Sequence, residues 1–127
     1  AVLMRLLVLA DEAVDADDVR AALPSEPGLD EARVLVVTPA RNSSPLAFWM
    51  SDSDEAIADA RAVEEATVAA LQADGVRARG EVGESEPMLA LSDAVATFDP
   101  DLILLLTGDD AFARDARGRF APRVVRG

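Results

Sequence analysis

A chain of 127 residues, half of them apolar, suits a single domain (1–127) with a real core and is too short for two ordinary ones. The formal charge is −12, every positive charge is an arginine, and no basic stripe runs along the sequence, so DNA and RNA are excluded as expected partners. Cysteine, histidine, lysine and tyrosine are absent, which removes disulfides, thiolate nucleophiles, Cys/His metal sites and imidazole bases and fits a reducing compartment.

The apolar run Ala1 to Ala10 is interrupted by Arg5 and is too short to span a bilayer. Asp11 and Glu12 stand where a signal peptide would place small residues, so a cytoplasmic location without membrane association is expected. Leu6–Ala10, Val34–Val37 and Leu102–Leu106 are short, nearly continuous aliphatic stretches, the pattern of parallel strands buried on both faces. Between the first two, Asp15–Leu23 reads as a short helix stopped by Pro24.

After the second strand, Leu46, Phe48, Trp49 and Met50 crowd apolar bulk into a segment that a loop would make polar. Something must cover them: a satellite core is the first reading, a self-association patch or a lid the functional ones. Asp54–Ala73 is a long helix with Ile57, Ala60, Val63, Thr67 and Leu71 as its expected inward stripe. Ser51-Asp-Ser-Asp54 marks its start and Gly75 its end.

Val76, Ala78, Gly80 and Val82 alternate with Arg77, Arg79 and Glu81, as in a strand near a sheet edge. The next helix opens with Ser85 and Pro87, carries Met88, Leu91, Val95 and Phe98 at helical spacing, and stops at Asp99-Pro100. A last helix, Ala111–Phe120, presents Phe112, Ala116 and Phe120 and is weakened by Gly118. Pro122 then leads into a short fifth strand, Arg123–Arg126, placed at an edge.

Strands alternating with helices define an α/β fold: a doubly wound, five-stranded parallel sheet of Rossmann-like or flavodoxin-like type in a three-layer sandwich, strand order 3-2-1-4-5. The topological switch falls between the first and fourth strands, where a small ligand is expected. Asp11-Glu12 and Thr107–Asp110 face that crevice, with Gly83–Ser85 and Pro39–Asn42 as flanking walls. Asp11, Glu12, Glu84, Asp109 and Asp110 are expected to converge there. Hard oxygen ligands suit Mg²⁺ or Ca²⁺, but the stronger reading is caps and solvated turns, so no metal is assigned.

Thr107 stands where a phosphorylated receiver domain has its threonine, but Gly83-Glu84 and the lack of any lysine set that reading aside. The sequon Asn42-Ser-Ser44 has no expected role without secretion, and the arginines from Arg114 to Arg126 read as a solvated face. Without histidine, cysteine or a Gly-x-Ser-x-Gly elbow, only hydroxyls and carboxylates remain for chemistry, and no enzyme activity is expected.

Two stretches carry a family resemblance: VLVVTPARNSSPLAFWMSDSDEA (Val34–Ala56) and LQADGVRARGEVGESEPMLALSDAVATFDPDLILL (Leu71–Leu105), the latter with an Asp-Gly-Val turn and a Gly-Glu-Val-Gly segment leading to proline. Over nearly its whole length the chain resembles the universal stress protein superfamily, as a single-domain member. The resemblance implies an adenine-nucleotide-binding type of sheet. In many members ATP or AMP lies against the ends of strands 1 and 4, contacted by an Asp after strand 1 and an aliphatic residue in strand 2. Those positions are Asp11 and Val36 or Val37 here.

The family's phosphate loop, Gly-x2-Gly-x9-Gly-Ser/Thr, is matched by Gly108 alone, its later positions falling on Ala111, Ala121 and Pro122. The nineteen residues after Gly108 cannot hold that loop together with a helix and a strand. Family dimers commonly pair through the last strand, which implies a homodimer surface at Val124 and Val125 with the Trp49 segment. Two functions follow: a non-catalytic, cytoplasmic stress-response domain acting by homodimerisation or protein association, with no cofactor; or a stress sensor binding ATP or AMP through Asp11, Val37 and Gly108.

Overall fold

The computed structural model describes residues 4–22, 32–40, 53–120 and 124–126. Four strands, β1 (Met4–Ala10), β2 (Ala32–Pro39), β3 (Arg77–Gly83) and β4 (Leu102–Leu106), form a parallel sheet in the order 3-2-1-4. β1 lies in the middle, Leu9 standing beside Val37 on one side and Leu105 on the other. Beyond β4 the backbone of Val124–Arg126 runs parallel in register with Ile103–Leu105.

Four helices, α1 (Ala16–Ala22), α2 (Ser53–Ala73), α3 (Pro87–Phe98) and α4 (Asp110–Phe120), cover the two faces. Because side chains alternate along a strand, each aliphatic run feeds both layers. Leu6, Val8, Val34, Val36 and Leu104 pack with Ala16 and Val19 of α1 and Leu71 of α2. Leu7, Leu9, Leu35, Val37, Ile103 and Leu105 pack with Leu91, Ala94 and Phe98 of α3 and Phe112 and Ala116 of α4. The result is the doubly wound, Rossmann-like arrangement expected of runs without polar alternation. Among the described residues no helix is long and apolar enough to cross a membrane.

Two local expectations need correction. Ile57 is 41% exposed, and the buried line of α2 is Ala56, Ala60, Glu64, Thr67 and Leu71. Two alanines let the helix sit close to the sheet, which turns the bulkier isoleucine outward. Glu86 rather than Ser85 caps α3, its carboxylate accepting from the amides of Met88 (3.1 Å) and Leu89 (2.9 Å). At its other end Asp99 takes the left-handed conformation, φ 49°, that an aspartate tolerates at a helix stop. Leu46, Phe48, Trp49, Met50 and the sequon lie outside the described residues, so the satellite-core, patch and lid readings do too.

Glu64 is the anomaly of the buried line. Its carboxyl lies over Gly80 of β3, so close that any Cβ there would overlap the carboxyl oxygen. Burial pushes the Glu64 carboxyl above the ordinary glutamate range, the Glu65 charge adds to the push, and Arg61 partly offsets it. A carboxyl raised by folding leaves stability intact below its unfolded pKa and subtracts from it as pH rises through the folded value. Glu64→Gln is therefore expected to match the wild type near about pH 4 and to exceed it at neutral pH. Urea midpoints at both pH values check this, and an equal offset at the two would refute it.

Candidate functional site

The carboxyl ends of β1 and β4 open into a cavity of about 850 Å³, lined by Asp11, Glu12, Val14, Asp18, Ala22, Thr107, Gly108 and Asp109 among others. The two strand ends are tied together first by backbone: the Asp11 amide donates to the Leu106 carbonyl (3.4 Å). The Thr107 hydroxyl then donates to Oδ2 of Asp11, in a short contact. The same hydroxyl oxygen accepts from the Asp109 amide (3.1 Å). Asp109 in turn caps α4, its Oδ1 accepting from the Phe112 amide (3.0 Å). Asp11 is thus held from one side while its Oδ1 takes no hydrogen bond from the described residues.

The opposite wall is fixed by two further anchors. The Val14 amide donates to Oγ1 of Thr67 (3.3 Å), a fully buried threonine on α2. Asp15 and Asp18 exchange amide-to-carboxylate bonds (2.9 and 3.1 Å), a reciprocal box at the start of α1. That box places Asp18 on the cavity.

Of the residues named from sequence, Asp11 and Gly108 line the cavity and Val37 does not. Val37 is 1% exposed, because its position in β2 turns it into the layer under α3. The acidic convergence is also redrawn: Asp11, Glu12 and Asp109 line the cavity, joined by Asp18, while Glu84 and Asp110 are not among its lining. Asp18 was findable, since Asp-x-x-Asp before a short apolar helix is a capping signature. No group of three or more carboxylates able to hold a metal ion occurs among the described residues. At the sheet edge the backbone of Val124 and Val125 flanks β4, and Trp49 lies outside the described residues. The buried hydroxyl of Thr38, near the end of β2, has no partner among the described residues.

Chemically the cavity is a set of acceptors. Among the described residues every charged side chain on its wall is a carboxylate, and Asp11, oriented by Thr107, presents to a hydroxyl or amine donor an oxygen that none of them occupies. A Cβ on Gly108 would meet nothing within 4 Å, so the chain at that point borders open space.

Layers, strand order and a switch-point cavity together define a doubly wound α/β domain. A universal stress protein family protein from Arabidopsis thaliana, solved with AMP bound, has a similar structure: TM-score 0.69 over 97% of this chain and 90% of that chain, at 14% sequence identity. At that identity the likeness is one of fold, and it agrees with the fold that the sequence resemblance implies. No family model matches the chain, and no curated protein matches it.

Proposed function

We propose that this chain is a non-catalytic universal-stress-type domain that takes a nucleoside-like ligand in the crevice between β1 and β4. The observation that carries this reading is Asp11, braced by Thr107 with Oδ1 left open at a topological switch point. Dinucleotide folds use an acidic residue in the same manner, as acceptor for ribose hydroxyls. The AMP in the similar Arabidopsis structure supports an adenine ligand. Gly108 borders the place such a ligand would fill, whereas Val37 belongs to the packed floor beneath.

Phosphates fit this crevice poorly. Asp11, Glu12, Asp18 and Asp109 repel them, and the Phe112 amide at the start of α4 is already spent on Asp109. Affinity is therefore expected to fall from adenosine to AMP to ATP in Mg²⁺-free buffer. Asp11→Ala should weaken adenosine at least tenfold, the loss of one hydrogen bond to a charged acceptor being about 1.5–3 kcal/mol. Native mass spectrometry with the three ligands reads both effects. No adenosine adduct on the wild type, or ATP binding tighter than adenosine, overturns the reading.

The same spectrum reports subunit count and so tests a second reading, association as a homodimer in a cytoplasmic stress response. It is favoured by the three-residue parallel segment beyond β4, which as a fifth strand completes the order 3-2-1-4-5 and has no further strand beside it among the described residues. Val124, Val125 and the Trp49 segment are the proposed surface, and a monomer at micromolar concentration rejects it.

A further inference from the structure

At the opposite end of the sheet the parallel register assembles what the sequence keeps apart. Arg5 of β1 stands directly beside Arg33 of β2, and Arg33 beside Arg77 of β3. Strands lie about 4.8 Å apart, so three guanidinium stems rise from a row roughly 10 Å wide. Arg79 follows two residues along β3, on the same face. The premise that this chain has no basic stripe holds for the linear sequence and fails in the fold.

Two of the four arginines have internal partners. Arg5 donates from Nε to the Asp99 carbonyl (2.7 Å) and pairs with the Asp99 carboxylate (3.5 Å), and Arg79 lies 5.9 Å from the centroid of the Phe98 ring. Arg33 and Arg77 have neither: among the described residues no carboxylate pairs with them, although acidic residues outnumber arginines 24 to 12 in the chain. Like charges placed directly opposite on neighbouring strands are destabilising. Both are exposed, and both line a cleft of about 530 Å³ with Arg5, Arg79, Thr97 and Phe98.

We propose that this cleft is a second binding site, for a small anion carrying a phosphoryl group, held by Arg33 and Arg77. Planar guanidinium forks bind phosphate oxygens two at a time, and a doubly charged phosphoryl group matches the charge of the Arg33–Arg77 couple. The net charge of −12 on the body repels a long polyanion while a small one can enter the cleft. The site lies about 20 Å from Asp11 along β1, so it stands or falls independently of the crevice.

Calorimetric titration with pyrophosphate at fixed ionic strength tests the proposal on the wild type, Asp11→Ala and the double variant Arg33→Gln/Arg77→Gln. Binding by the first two, and at least tenfold loss in the double variant, is the expected result. The double variant should melt no lower than the wild type, since it removes a like-charge contact. Arg77→Lys, which keeps the charge and loses the fork, should bind less tightly than the wild type and serves if the double variant fails to fold. Glycerol phosphate binding tighter or weaker than pyrophosphate sorts an ester from a free oxyanion, both within the proposal. No heat with the wild type, undiminished binding by the variants, equal binding of succinate, or binding of duplex DNA in place of pyrophosphate overturns it.

Discussion

Replacing Leu9 with alanine is expected to lower the unfolding free energy by about 3 kcal/mol and the melting temperature by about 10 °C. Leu9 is fully buried in the central strand, shoulder to shoulder with Val37 and Leu105, and belongs to the cluster closed by α3 and α4. The sheet and the α3/α4 layer close over it from both sides, so little can collapse into the space a truncated side chain leaves. Ile57→Ala is the matched control: it removes more carbon from an exposed helix face than many core changes do, yet should cost under about 0.5 kcal/mol. Urea unfolding of the two variants checks the contrast. Equal costs would mean that Ile57 is covered in solution and that the outward face of α2 is wrongly assigned.

The sheet was legible because a strand buried on both faces has no polar alternation to hide it, as Leu6–Ala10 and Leu102–Leu106 illustrate. The inward face of α3 was legible for a related reason: Met88, Leu91, Val95 and Phe98 are large and regularly spaced, so volume and periodicity agree. On α2 they disagree. Its buried line runs through two alanines, a glutamate and a threonine, and only the missing Cβ of Gly80, on the next strand and beyond the reach of any local rule, makes room for Glu64.

The site divides along the same boundary. Asp11 and Gly108 follow from strand order, since a switch point is a property of topology that helix and strand patterns already imply. The bond from Thr107 to Asp11 and the row of arginines depend on register between segments distant in sequence, which no local pattern encodes. Parallel register is set here by which aliphatic faces mate across the core, and the charges at the strand beginnings are carried along with it. Their juxtaposition is invisible until Leu9 is known to sit beside Val37.

Gly83→Ala is the second large effect, and it tests how α3 is seated over the strand ends. A Cβ on Gly83 would stand 2.7 Å from the Ala90 Cβ and 3.1 Å from Val37 Cγ1, so α3 and β3 touch backbone to side chain with no slack. The Gly83 carbonyl also accepts from the Ala40 amide (3.2 Å), which keeps the strand end from moving aside. Overpacking of this kind costs about 1–3 kcal/mol, and the upper half of that range is expected because both obstructing atoms belong to buried residues. Ala90→Gly removes the nearer atom at about 1 kcal/mol for a glycine inside a helix. In the double variant the two costs should therefore sum to less than their separate values, leaving a favourable coupling between positions 83 and 90. Additive costs would show that α3 shifts bodily instead, and the clash with Val37 would then be the one that matters.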